Sequence, residues 1–134
     1  MRRQVAALPY RLKPKLEVLL LTSRDTRRPV IPKGWPMKGR KKWESAAIEA
    51  LEEAGIVGKI MKRSIGRYLY WKRQPDHFVL CSVEVFPLRV TRQVATWREM
   101  HQRHMRWLTP EQAAILVDEP GLSTLIRDFS PPHH

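Results

Sequence analysis

The alternation of apolar and polar positions along the chain predicts short strands interleaved with helices. Val5 to Leu8 and Leu16 to Thr22 are apolar runs of strand length, the second apolar enough to be buried on both faces of a sheet. Ser23 to Gly39 interrupts this pattern with Arg, Lys, Pro and Gly, and reads as a long basic loop with one brief extended piece at Val30 and Ile31. Trp43 to Ala54 then takes up a helical period, closed by Gly55 in the position favoured for a left-handed cap. Ile65 to Trp71 and Phe78 to Val90 return to strand patterning around a turn at Gln74 to His77, which makes a hairpin. Thr109-Pro110-Glu111-Gln112 has a capping residue, Pro at the first helical position and Gln three after the cap, so a helix should run to about Val117. Pro120 to Asp128 reads as a short final helix.

This order of elements is mixed α/β, without repeats or low-complexity linkers. The 134 residues suit a single domain over 1–134, with a flexible tail at 130–134 in which His133 and His134 belong to an unstructured end rather than to a metal site or tag. Charge changes the picture more than size does. Twenty-five Lys and Arg against thirteen Asp and Glu give a formal net charge of +12, a potential that draws polyanions and raises their encounter rate. Cys81, the single cysteine, has no internal partner, and no Cys or His cluster has zinc spacing, so a reducing cytoplasm is the expected home. Met1 to Lys15 is basic and lacks the apolar stretch of a signal peptide, and the longest apolar run, Val18 to Leu21, is too short to span a bilayer. No membrane association is expected. The oligomeric state is open.

Chemistry concentrates on the Trp43 to Ala54 helix. At about 100° per residue, Trp43, Ala47, Ala50, Leu51 and Ala54 gather on one apolar arc, while Glu49, Glu52 and Glu53 cluster on the other side. Carboxylates at i, i+3 and i+4 repel by a few tenths of a kcal/mol per pair, so something should compensate. A solvated acidic face neutralised by the many Lys and Arg is the ordinary explanation. The sharper one is a divalent cation, since Mg²⁺ takes hard oxygen ligands, commonly one or two carboxylates together with phosphate oxygens and water. The helix also follows Pro32-Lys33-Gly34-Trp35-Pro36-Met37-Lys38-Gly39, a basic loop whose glycines admit a close backbone approach.

Loop and helix together, from Gly34 to Ile56, resemble the Nudix box, G-x5-E-x7-R-E-U-x-E-E-x-G-U with U aliphatic. Glu52-Glu53-Ala54-Gly55-Ile56 matches its end, Gly34 its opening glycine, Glu49 the glutamate of the R-E pair and Ala50 the first aliphatic position. Two positions depart from it: Arg40 replaces the first glutamate and Ile48 the arginine. Ile48 lies at the rim of the apolar arc, where it packs without disturbing the acids. Leu16 to Ser23, Arg24-Asp25-Thr26-Arg27-Arg28, Val30 to Gly34, and Arg103 to Leu108 followed by Thr109 to Ala113 are similar to the diphosphoinositol polyphosphate and diadenosine polyphosphate hydrolase branch.

The resemblance implies a Nudix-type α/β/α sandwich with a mixed β-sheet and a loop-helix-loop catalytic motif. It implies that Glu49, Glu53 and the carbonyl of Gly34 bind Mg²⁺, for which Mn²⁺ could substitute, and that Glu52 activates the attacking water. Metal-bound hydroxide could take that last role. The implied activity is hydrolysis of a phosphoanhydride in a small anionic polyphosphate, a diphosphoinositol polyphosphate or a dinucleoside polyphosphate. The alternative is an impaired domain of the same fold that binds polyphosphate or RNA. Lys33, Arg24, Arg27, Arg28, Lys72, Arg73, Arg103 and Arg106 fall where the resemblance puts the mouth of the cleft, as candidate substrate-binding residues, with Lys33 and Arg73 foremost. Trp35, Tyr68, Tyr70, Trp71 and Trp107 invite base stacking, but Tyr68, Tyr70 and Trp71 are expected to be ordinary strand packing and Trp107 core. His77, His101 and His104 receive no role.

Overall fold

The first strand organises the layers. In the computed structural model, which describes residues 1–132, β1 (Arg2–Arg11) is buried on both faces, as the short apolar run within it requires. Its side chains alternate between two cores: Ala6, Leu8 and Tyr10 join one, Val5 and Ala7 the other. The expectation of an unstructured end falls, for His133 and His134, outside the described residues.

β1 pairs in parallel with β7 (Phe78–Gln93) and antiparallel with β2 (Glu17–Thr22), so the sheet is mixed. Its central order is β3-β2-β1-β7-β5, where β3 is Pro29–Val30 and β5 is Ile56–Ile60. β4 (Lys33–Gly34) pairs with β1, β6 (Gly66–Arg73) with β7, and β8 (Met105–Leu108) with β2. The hairpin of β6 and β7 is the expected one. On one face lie α2 (Pro110–Leu116) and α3 (Pro120–Arg127), sealing a core of Leu8, Val83, Val85, Leu122, Ile126 and their neighbours. On the other lies α1 (Lys42–Ala54), against Ala7, Leu19, Leu21, Phe86 and Leu88. This is the anticipated α/β/α sandwich.

Local chemistry fixes the helices much as the sequence suggests. Thr109 Oγ1 accepts from the Gln112 backbone at 3.2 Å while Gln112 Oε1 accepts from the Thr109 backbone at 3.0 Å, the reciprocal capping expected of α2. At the start of α1, Glu44 Oε1 accepts from the Lys41 N–H at 2.7 Å, and Ser45 Oγ accepts from the Met37 N–H at 2.9 Å, tying the basic loop to the helix. Gly55 ends α1 at φ 68°, ψ 20°, the left-handed cap.

Three expectations change. β5 is an additional strand, with a bulge between Val57 and Gly58, because β7 continues beyond β6 and offers it an edge. The basic loop contains two short strands, β3 and β4, where one extended piece was expected. The buried side of α1 is Ser45, Ala46, Ala50, Glu53 and Ala54, whereas Trp43, Ala47 and Leu51 are only half-buried. The apolar arc is therefore rotated toward the acids: Ala46, Ala50 and Ala54 are small enough to bring the helix close to the sheet, which carries Glu53 inside.

Candidate active site

The end of α1 nearest β4 opens into a cleft of about 1000 Å³. Glu49 and Glu53 reach it from the helix, Lys33 and Gly34 from β4, Tyr70, Lys72 and Arg73 from β6, and Glu99 and Arg103 from the connection between β7 and β8. A Cβ built on Gly34 would stand 2.6 and 2.7 Å from the two carboxylate oxygens of Glu49, so only glycine lets the acid lie on this backbone.

Glu53 is 6% exposed. Burial, and then the hydrogen bond its protonated carboxyl donates to Glu49, push its pKa up to about 9; Arg103 opposes the shift without reversing it. Glu49 is raised by burial as well, the charges of Glu52 and Glu99 adding to that and the hydrogen bond from Glu53 opposing it. Two carboxyl groups that share a proton titrate as a pair, and a cation can take the proton's place. Among the described residues no three His, Cys, Asp or Glu side chains gather to enclose an ion unaided.

Arg103 is the best-held cation in the cleft. Its Nη2 lies 2.8 Å and its Nε 2.9 Å from Glu99 Oε1, its Nη1 donates to the carbonyl of Thr22 at 3.1 Å, and Nη2 stands 3.7 Å from Glu53 Oε1. Lys33 Nζ sits 4.9 Å from the centre of the Tyr70 ring. Burial pushes the Lys33 ammonium down, against the upward pull of Glu53 and Glu119. The Tyr70 hydroxyl donates to Gln4 Oε1 at 2.5 Å and holds that ring in place.

Of the candidate basic residues, Lys33, Arg24, Arg28, Lys72, Arg73 and Arg103 line the cleft, while Arg27 and Arg106 do not. Arg106 is exposed on β8 opposite Leu20, on the α2 and α3 side of the sheet. Arg28 is shared with Asp118 at 3.3 Å and Glu119 at 3.9 Å, and Arg24 with Glu99 at 3.7 Å. Glu52 is outside the lining; its Oε1 pairs with the exposed Arg98 at 3.2 Å. Glu99 was not anticipated. The only sequence signal for it is its place four residues before Arg103, in a segment without periodicity.

The aromatics divide differently from expectation. Tyr68 is buried, but Trp71 is 62% exposed and lines the cleft with Trp35 and Phe78, because β6 has only β7 as a neighbour and Trp71 projects from its uncovered side. Trp107 is half-buried against the α1 core, with the Arg11 guanidinium 4.3 Å above its ring. Among the described residues no helix is long and apolar enough to cross a membrane.

No model of a protein family matches the chain. Among curated proteins it is similar to Nudix hydrolase 16, mitochondrial, of Arabidopsis thaliana, with 33% identity over 119 residues that cover 85% of this chain and 66% of that one. It is also similar to Nudix hydrolase 12, mitochondrial, of the same plant, with 29% identity covering 86% of this chain and 59% of that one. The chain thus spans 59% to 66% of the length of the first curated relatives it matches. In fold it is similar to the C. elegans Ap4A hydrolase in its binary complex, with a TM-score of 0.67, 23% identity and coverage of 95% and 93% of the two chains.

Proposed function

The chain belongs to the Nudix hydrolase family, and from that premise we propose that it hydrolyses a phosphoanhydride bond in a polyphosphorylated small molecule, a dinucleoside polyphosphate ahead of a diphosphoinositol polyphosphate. The observation that carries the reading is the pair of a half-buried Glu49, lying against Gly34, and a buried Glu53 inside a basic cleft.

The donor set fits a hard divalent cation. Two carboxylates and the carbonyl of Gly34 leave other positions for water and phosphate oxygens, the ligand mixture Mg²⁺ prefers and Mn²⁺ accepts. When bound, such an ion supplies charge neutralisation at the phosphoryl oxygens and a more acidic water. Lys33, Lys72 and Arg73 supply positive charge for the remaining phosphates, and because burial pushes the Lys33 pKa down, its poorly solvated ammonium gains from pairing with an anion. Glu52 takes the proton of the attacking water. Its charge already acts on Glu49, and leaving the exposed Arg98 costs under about 1 kcal/mol. Trp35, Trp71 and Phe78 give a nucleobase a surface to stack on, for which an inositol ring has no use. The free, buried Cys81 suits a reducing compartment such as the cytoplasm.

A panel of diadenosine polyphosphates, inositol pyrophosphates, nucleoside triphosphates and ADP-ribose, assayed with and without Mg²⁺, tests the proposal. Turnover of a base-bearing polyphosphate, dependent on the ion and lost in Glu52→Gln, supports it; turnover of none sinks it.

A second reading, a domain that binds polyphosphate or RNA without cleaving it, is favoured by charge outside the cleft. Among the described residues Lys38, Arg40, Lys41, Lys62 and Arg63 are exposed and form no ion pair, around a site where Lys42 and Arg67 share Glu84 at 3.2 and 3.0 Å. That reading predicts binding that weakens steeply with salt and is unchanged in Glu52→Gln.

A further inference from the structure

We infer that Arg103, clamped by Glu99, is a positioning residue that holds the Glu53 carboxylate in place, supplying from the β7 to β8 connection the pair of charges that the loop and helix lack at Arg40 and Ile48. The inference rests on the reading of Glu53 as a cation ligand and adds a residue to it.

α1 offers Glu53 no opposite charge, since its one cation, Lys42, lies at the far end of the helix and pairs with Glu84 at 3.2 Å. The helical neighbours of Glu53 one turn back are Glu49 and Ala50, and Ile48 offers no donor. Arg103 comes instead from across the cleft, its side chain 11% exposed and its Nη2 3.7 Å from Glu53. A phosphate-binding arginine presents free N–H groups to the cleft. Here Nε and Nη2 face Glu99 and Nη1 donates to the Thr22 carbonyl, three of the five N–H groups, so the fork is fixed before any substrate arrives.

The connection that carries these residues is itself fastened at both ends. Val94 donates to the Gly55 carbonyl at 2.8 Å and Glu99 to the Glu52 carbonyl at 2.9 Å, while the Thr22 N–H donates to the His104 carbonyl and the His104 N–H to Thr22 Oγ1, both at 3.0 Å. The Trp97 ring fills the space beside Gly55 where a side chain would stand. Glu99 and Arg103 are thus pinned to the last turn of α1 on one side and to β2 on the other. One acid and one base are missing from the motif, and one acid and one base appear here, the base 3.7 Å from Glu53 and the acid clamping that base.

The test is Mn²⁺ affinity, by calorimetry on the whole chain, with steady-state kinetics beside it. Because Arg103 is a cation near a cation site, simple electrostatics predicts that Arg103→Gln binds Mn²⁺ more tightly; a positioning role predicts weaker binding, by about 10- to 100-fold. With it kcat should fall while KM stays within about threefold. Arg103→Lys should recover part of both. Glu99→Gln, which leaves Arg103 unclamped, should move both the same way by less, and serves if Arg103→Gln does not fold. Unchanged or tighter Mn²⁺ binding in these variants overturns the inference, and so does a higher KM at constant kcat, which would make Arg103 a substrate ligand. Native protein that binds no Mn²⁺ overturns both this inference and the reading beneath it, whereas native binding with unaffected variants overturns this one alone.

Discussion

The two faces of the sheet are covered in opposite ways. On the α2 and α3 side, Leu122, Ile126, Phe129, Tyr10, Val83 and Val85 fill the interface with bulky apolar groups, and Tyr10 and Phe129 meet edge to face with ring centres 5.0 Å apart. On the α1 side the helix contributes Ala46, Ala50 and Ala54, and brings Ser45 and Glu53 inside with them. The first face chiefly removes apolar surface from water. The second gives up packing volume so that a carboxylate can be held at the floor of a cleft. Stability and chemistry are thus assigned to different sides of one sheet.

That division can be broken most sharply from the structural side. Ile126→Ala empties a fully buried site and should lower the unfolding free energy by about 2 to 5 kcal/mol in urea, with kcat of the surviving folded fraction unchanged. A matching loss of kcat would mean that the faces are not independent. Glu53→Gln is the converse. Turnover should fall at least about 100-fold, since loss of a ligand exceeds loss of an outer partner, while the melting temperature without metal stays level or rises.

Acidity sharpens the same contrast. The Glu53 pKa, about 9 when folded against an ordinary 4.5, is raised by burial, so the unfolded chain gives up this proton more readily than the folded one. The contribution is therefore fully favourable below about pH 4.5 and is lost as pH rises toward 9. Metal-free protein should melt lower at pH 9 than at pH 6, and Glu53→Gln should flatten that slope; a native profile as flat as the variant's would contradict the assignment. The smallest effect belongs to Glu84. Burial raises its pKa, but Lys42, Ser64 and Arg67 together outweigh that and leave it below the usual value. Its stabilisation is present above the unfolded pKa and fades as pH falls through the folded one. Glu84→Gln should cost under about 1 kcal/mol at neutral pH, and less in high salt.

What could be read from the sequence follows how locally each feature is encoded. The α1 cap at Gly55, the Thr109 box and the hairpin around residues 74–77 depend on neighbours within a few positions, and all are found. β5 escaped because Gly58 and Lys59 are exposed and its pairing comes from the distant end of β7. Glu49 and Glu53 were visible by their spacing, but which way the helix turns them was not: that depends on three alanines meeting a sheet assembled from far-off strands. Arg103 was visible as a cation near the cleft. That its fork is held by Glu99 and a carbonyl of β2 is a long-range fact, written at residues 22, 53 and 99 together.

Gly55 carries two obligations at once. Its backbone turns left-handed to end the helix, and the Trp97 ring occupies the room its side chain would need. Any larger residue would meet the strain of the cap and also prise the indole from its seat, loosening the latch that keeps the connecting arm shut over the acids. The smallest residue at the rear of the helix therefore governs how firmly the front of the cleft is assembled.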